Sequence, residues 1–564
     1  MHLIEKANDK EFWSQTVRNE KKFASLREKL LKTWENDCEN KPIEVLKYTE
    51  FRMYGIDGNR NIFEKGYFHR RGCLETAAQL ALIYPEEEKY LDYLQNTIFA
   101  ICNEFTWTLP AHQPDLLTST DNTFIDLFDC ETGGTLAEID AIFEDRLDPL
   151  IRNRIKLECK KRVVDPYLAV VDKPGSPWWR GGYTGNWVAV CCANIATTVF
   201  HLFPECYTEG MKRDYERLMN NFLSGFSENG FCDEGPGYWG YGFGFFVLYA
   251  DLVYRFTGGE VDYFKLDKVR KISTYLQKVF LNGKTTVSFS DASRSAGYDL
   301  CLIHYLKERY PDDVEVLPPE YGNWGGKIFC FRSALWLNEE LYNAPTAVDK
   351  STEYYDSDYQ WLIKKTPSFG FAAKAGHNAE HHNHNDIGSF IIAKKDHQIY
   401  TDMGAGVYTK QYGDPVLKYA HNEASSNHHS LPIFNDCYQR EGRSFASSEV
   451  TYENGVFSME FAAAYGLPEV VFSAKRAFTV TDDTVTVADS FDVAEGTVIV
   501  ERFTLLEKPE IVGNKIITEN SVAEFKEGIS EVTVTDKKNS HNLTYYTVDF
   551  KLNPGVNEFV YVIK

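Results

Sequence analysis

Apolar positions recur at helical spacing through the first part of the chain and at strand spacing through the second. Leu91, Leu94, Ile98 and Ile101 fall on one face of a helix, and polar Asn103 and Glu104 follow at its end. Val188–Phe203 is apolar nearly all round, and Phe243–Tyr254 reads the same way, as expected of helices covered on two sides. The segments Asp172–Trp187 and Asn229–Gly242 are rich in Gly, Pro and Trp and read as loops. Helix pairs with such loops at one end predict an α/α toroid, an incomplete barrel, although no fixed-period repeat marks it. After Pro318 and Pro319 the pattern changes, and from about Lys327 the chain reads as short strands. Phe390–Ala393 and Ile399–Tyr400 are examples, and Ala477–Val493 alternates around a turn at Asp482 and Asp483. The prediction is a multidomain α + β chain, with an α/α toroid over residues 1–320 and an antiparallel β-sandwich over residues 321–564.

Charge narrows the partners. With 60 basic and 82 acidic side chains the net charge is −22, which argues against nucleic acid and against a broad basic groove. An anionic ligand would need a small, local cationic site. Aromatic residues reach 15%, a composition that suits stacking on sugars but serves most cores equally well. The 12 cysteines are scattered and form no CxxC pair, which argues against a cysteine zinc finger and for reduced thiols. The opening MHLIEKANDKEFWSQ lacks the pattern of an export signal, and no apolar run is long enough to cross a membrane, so the expectation is a cytoplasmic protein. Nothing in the sequence reports on oligomeric state.

The strongest anomaly is histidine. Eight of the 14 lie between His377 and His429. In an extended His382-Asn383-His384 stretch the two imidazoles share a face, and Asp402 ends the strand that follows. His384, Asp402 and His429 form a nitrogen and oxygen set suited to tetrahedral zinc, although a histidine-rich surface loop would look similar. Trp178, Trp179, Trp187 and Trp239 are candidates to line a sugar cleft or to pack loops, and Arg180, Arg440 and Arg443 are candidate carboxylate or sulfate contacts.

The stretch His382-x-His384-Asn385-Asp386-x-Gly388-Ser389-Phe390, followed by Asp402-x-Gly404, resembles the signature of the heparinase II/III-like polysaccharide lyases. Gly185-Asn186-Trp187, Glu234-Gly235-Pro236-Gly237-Tyr238-Trp239-Gly240-Tyr241 and His429-Ser430 extend the resemblance over both halves. It implies a toroid followed by a sandwich, and β-elimination in a uronic-acid-containing oligo- or polysaccharide. It implies His384, Asp402 and His429 as ligands of a structural zinc or another divalent metal, with His428 competing for the last place. It further implies His382 as the catalytic or substrate-facing histidine and Asn186 as the group that neutralises the uronate. Tyr238 matches the catalytic tyrosine, with Tyr241 as the alternative register, and Tyr419 falls where alginate-cleaving members carry a second one. Trp187 stands where some members have a histidine. The Asn186-Trp187 pair favours a glycosaminoglycan of the heparan sulfate, chondroitin or hyaluronan type, whereas Tyr419 favours alginate. Two other classes stand beside the lyase: an α/α-barrel glycoside hydrolase using Asp233 or Glu234 with Glu131, and a non-catalytic glycan-binding protein.

Overall fold

The computed structural model describes residues 3–4, 6–113, 124–323, 330–344, 350–409, 411–412, 414, 416–420 and 423–564. Lys327 and His421 therefore lie outside the described residues. Two compact units are present, and they are interleaved along the chain. One comprises residues 1–225, 240–270 and 299–344, and the other residues 226–239, 271–298 and 345–564. This division differs from the single cut expected near residue 320. Two loop segments from within the helical half belong to the β-bearing unit, and one of them carries Tyr238.

The first unit is helical. Its long helices are Asn61–Ile83, Glu88–Cys102, Leu127–Phe143, Asn186–Leu202, Glu209–Ser224 and Gly244–Phe256. The expected face of Glu88–Cys102 is the one that packs, with Leu94, Ile98 and Ile101 buried. Asn186–Leu202 is buried on nearly every face, because Leu127–Phe143 covers one side and Gly244–Phe256 another. Helix starts follow local chemistry. The Asp126 carboxylate accepts from the Asp129 amide at 2.6 Å, and Asp148 caps a helix whose first residue is Pro149. No helix among the described residues is long and apolar enough to cross a membrane.

The second unit is built on two antiparallel sheets. One runs Ile529–Lys538, Thr544–Leu552, Ile499–Leu505, His397–Tyr400, Phe390–Lys394, Gly370–Lys374, Trp361–Lys365, Thr352–Asp356, with Pro432–Phe434 also paired to Ile499–Leu505. The other runs Ser448–Glu453, Val456–Glu460, Val471–Val480, Val485–Val493, Glu558–Ile563, Val522–Phe525, Lys515–Ile517, Glu510–Val512. Val471–Val480 and Val485–Val493 pair around the expected turn, and alternate side chains are buried along them. Phe371, Phe390, Phe478, Phe503 and Tyr561 from both sheets fill one core, as in a sandwich. Arg476 is buried in this unit. It pairs with Asp489 and Glu501 and donates to the carbonyls of Gly388 and Ser430. One guanidinium thus fixes the ends of both histidine-bearing loops to the sheets.

Candidate active site and metal centre

The loop 380–386 is held by charge before it presents any chemistry. Lys374 on its strand is fully buried and pairs with Glu380 and Asp386, each at 2.8 Å. Such a buried triad fixes geometry more than it adds stability. His381 is fastened next. Its amide and Nδ1 both contact the Asp233 carboxylate, at 3.1 and 3.0 Å, and that hydrogen bond raises the imidazole to about 9. Between these anchors His382 takes a left-handed backbone, φ 56°, a conformation that a non-glycine residue adopts at a cost.

That backbone turns the His382 ring against the ring of Tyr238, with centroids 4.2 Å apart and planes at 29°. The two side chains, almost 150 residues apart in sequence, form one stack within the second unit. Asp291 organises what surrounds them. Its Oδ2 lies 2.8 Å from His382 Nδ1, 2.9 Å from the Tyr408 hydroxyl and 3.1 Å from Lys418 Nζ. Its Oδ1 lies 3.0 Å from His384 Nε2 and accepts from the Tyr412 hydroxyl. Burial alone would raise this carboxyl. The His382 and His384 hydrogen bonds and the charges of His384 and Lys418 outweigh it and hold the group ionised well below the usual range. The Tyr408 hydroxyl also lies 3.1 Å from that of Tyr238. Burial first, and then the Asp291 charge, push the Tyr408 phenol far up, so it stays protonated.

Two glycines explain how these segments meet. Gly404, at φ 66°, passes so close to the loop after Asp291 that a Cβ there would lie 2.0 Å from the Ala292 carbonyl oxygen. Gly235, at φ 89°, presses on Ala292 from the Tyr238 segment, where a Cβ would lie 2.5 Å from the alanine Cβ. Ala292, the neighbour of Asp291, is seated between the two. Gly404→Ala is expected to cost about 2–4 kcal/mol in denaturant unfolding, from strain and overpacking together. A loss below about 0.5 kcal/mol would contradict this close approach.

His384, Asp402 and His429 are buried and offer three ligand atoms within 4.8 Å of one another. His384 Nδ1, Asp402 Oδ2 and His429 Nδ1 are sealed from solvent, and none makes a hydrogen bond outside the set. The opposite edge of each ligand is fixed: His384 Nε2 by Asp291, His429 Nε2 by the Glu423 carbonyl, and Asp402 Oδ1 by the Gly404 amide. Buried, aimed and otherwise unpaired donors held by outer hydrogen bonds fit a divalent metal, and the nitrogen and oxygen set suits zinc. The choice between neighbouring histidines resolves here. His428 turns away to the Tyr545 hydroxyl, and burial lowers its imidazole to about 3.

The other candidates divide. Asn186 opens its helix and is buried, and its amide has no hydrogen-bond partner among the described residues. It is not the helix cap, which is Gly185. Trp187 lies in the helical unit against His112 and half-exposed Trp178, with ring centroids 4.9 and 5.0 Å away. Tyr241 belongs to the helical unit and gives its hydroxyl to Glu131, so the register alternative is occupied elsewhere. The Tyr419 hydroxyl accepts from Asn383 at 3.1 Å, and the second tyrosine at the Tyr238–His382 pair is Tyr408. Arg440 is exposed.

Two substrate contacts expected from sequence are corrected. Arg180 is fully buried, and its guanidinium donates to the carbonyls of Val170, Val171, Lys173 and Ser176 and to Asp214. It holds a loop together and has no surface to offer a ligand. Trp239 is buried too, with its indole N–H on the Ile272 carbonyl, so it packs the interior and does not stack on sugar. Asp291, Tyr408, Tyr412 and Lys418 were missed, since none belongs to the motif-like stretches.

No protein-family model matches the chain, and no curated protein matches it. Solved structures do. A protein described as heparinase III aligns over 100% of this chain and 92% of its own, at 11% identity and a TM-score of 0.60. A mutant of the heparan sulfate lyase HepC from Pedobacter heparinus aligns over 99% and 86%, at 13% identity and a TM-score of 0.60. A Streptomyces coelicolor A3 chondroitin AC lyase, solved with chondroitin sulphate, aligns over 96% and 82%, at 10% identity and a TM-score of 0.50. The expected architecture of an α/α toroid and an antiparallel β-sandwich is borne out by this likeness: the chain has the heparinase-like polysaccharide-lyase fold.

Proposed function

We propose that the protein is a polysaccharide lyase that cleaves a uronic-acid-containing glycan, of glycosaminoglycan type, by β-elimination. The carrying observation is the Tyr238–His382 stack with Asp291 on His382 Nδ1. The carboxylate accepts the hydrogen bond of Nδ1–H and so leaves His382 Nε2, which has no partner among the described residues, unprotonated as the base. The pair of electrons freed from the C5–H bond forms the C4–C5 double bond. The C4–O4 bond breaks, and the departing oxygen takes a proton from the Tyr238 hydroxyl. Tyr408, protonated and 3.1 Å away, then turns its hydroxyl hydrogen from Asp291 towards the phenolate. The uronate carboxylate, whose charge otherwise keeps C5–H from ionising, has to be met by a hydrogen-bond donor or a cation for this step.

His384, Asp402 and His429 would hold zinc, whose contribution is to fix the fold of the loops that present His382. Chelation is expected to lower the thermal midpoint, and zinc at a hundredfold excess over its Kd to restore about 3 kcal/mol. The Asp402→Ala variant should no longer respond to either. A midpoint indifferent to chelator would contradict a bound metal. The similar structures described as lyases of heparan sulfate and chondroitin support the glycosaminoglycan reading over alginate. So does Tyr419, whose hydroxyl is engaged by Asn383. The hydrolase alternative is weakened by Asp233, which is engaged by His381.

Purified protein is expected to raise ultraviolet absorbance on heparan sulfate, chondroitin or hyaluronan, through the conjugated C4–C5 double bond, and to do so less on alginate. No absorbing product from any of the four would overturn the reading.

A further inference from the structure

Next to this site, and wholly within the second unit, lies a cavity of about 520 Å³ that no role yet explains. That size lies within the usual range for small-ligand pockets. Tyr408 belongs to both places. Its ring lines the cavity, and its hydroxyl joins the Tyr238–His382–Asp291 cluster. Ala292 and Met403, the neighbours of Asp291 and Asp402, also form its wall. A glycan reacting at His382 therefore has this cavity on the Tyr408 side.

The polar groups there are chosen for an anion. Arg294 lines the cavity, and among the described residues no hydrogen bond or ion pair holds its guanidinium. It is more than half buried, and that burial lowers its pKa against the opposing pull of the Asp402 charge. Asn539 is more than nine-tenths buried. Its Oδ1 accepts from the amides of His541 and Leu543, while its Nδ2 has no partner among the described residues. Gln398, by contrast, has its amide committed to the Thr286 carbonyl and Ser288. His397 is bound to Glu507, and the Asp396 carboxylate stands exposed at the rim. Two donors thus remain unused: a planar guanidinium and a buried amide. A fork of this kind matches a carboxylate or a sulfate.

We infer that this cavity is a substrate subsite in which Arg294 and Asn539 bind an oxyanion, uronate carboxylate or sulfate, on a sugar neighbouring the one cleaved. The inference rests on the lyase reading above and adds the charge pattern the enzyme selects.

The test compares wild type with Arg294→Ala, Arg294→Lys and Asn539→Ala on three oligosaccharides: the sulfated form, its desulfated form and a form carboxyl-reduced everywhere but at the uronate that is cleaved. Arg294→Ala should lower kcat/KM at least tenfold on the substrate bearing the recognised anion and less than threefold on the analogue lacking it. Whether the difference tracks desulfation or carboxyl reduction identifies the oxyanion. Arg294→Lys should recover part of the loss, and Asn539→Ala should give a smaller loss of the same pattern. No loss, or an equal loss on all three, would overturn the subsite. Calorimetric binding of the same oligosaccharides to full-length Tyr238→Phe and Tyr238→Phe/Arg294→Ala proteins separates this from the lyase reading. If no glycan is turned over, the lyase reading falls. The subsite is still upheld by a tenfold weaker, anion-dependent affinity without Arg294, or refuted by equal affinity.

Discussion

Tyr238→Phe is expected to leave a folded protein that has lost about 10³ in kcat, with KM nearly unchanged. The expectation follows from what the substitution removes. The ring that stacks on His382 at 4.2 Å remains, so the partner imidazole stays in place. Only the hydroxyl is lost, and with it the proton for the departing O4. His382→Ala should cost a similar factor, because the base and its stacked partner go together. Tyr408→Phe should cost less, about tenfold, since that hydroxyl supports the Tyr238 phenolate and does not itself touch the leaving oxygen. Single-turnover rates on an oligosaccharide would measure the chemical step in each variant. Full retention of the rate in Tyr238→Phe would remove tyrosine from the reaction.

Asp291→Asn is expected to be nearly as damaging, with a loss of about 10²–10³ in kcat, although Asp291 need not touch the substrate. The carboxylate accepts at Oδ2 from His382 Nδ1 and at Oδ1 from the His384 and Tyr412 side. An amide has one accepting oxygen and one donating nitrogen, so it satisfies only one arm. If the amide nitrogen faces His382, Nδ1 must become the acceptor and the proton moves to Nε2, where the base is needed. In serine proteases the same change at the triad aspartate leaves its histidine in the wrong tautomer and lowers kcat by about 10⁴. A positioning role is separable from a merely structural one. Asp291→Asn should keep its circular dichroism while its pH–rate profile changes shape. Asp291→Ala should in addition lose about 3–5 kcal/mol of stability, because the Lys418 ammonium and two imidazoles are left around an empty acceptor. A wild-type pH–rate profile in Asp291→Asn would show that the carboxylate does not set the His382 tautomer.

The motif-like parts of the site were legible because their chemistry repeats at short range. His382, His384 and Asp402 stand close in sequence, although the extended stretch expected at His382–His384 is a loop in which His382 has φ 56°, and the fold class followed from the change from helical to strand spacing near Pro318 and Pro319. Asp291 was not legible. It sits in Ser288-Phe289-Ser290-Asp291-Ala292, a loop with no pattern, and acquires its role only when Gly235 and Gly404 close on Ala292 from segments far apart in the chain. Arg180 and Trp239 were misread for the opposite reason. Each lies in a Gly- and Trp-rich loop of the kind that borders clefts. The loop around Arg180 folds its carbonyls inward onto the guanidinium, and the indole of Trp239 finds a buried acceptor at Ile272. Residue type does not report whether a loop's polar groups are satisfied from within. Tyr238 and Tyr241 show the same limit. They stand one helical turn apart in sequence, yet one stacks on His382 and the other binds Glu131 in the other unit.

The central claim is that bond cleavage proceeds by loss of a proton and an alkoxide from neighbouring carbons, without water entering the product. Mass analysis of the fragments from a defined uronate-containing tetrasaccharide tests it most directly. The account predicts that the fragment bearing the new non-reducing end is one water lighter than its hydrolysis counterpart and absorbs in the ultraviolet. Fragments of full hydrolysis mass without that absorbance would contradict it.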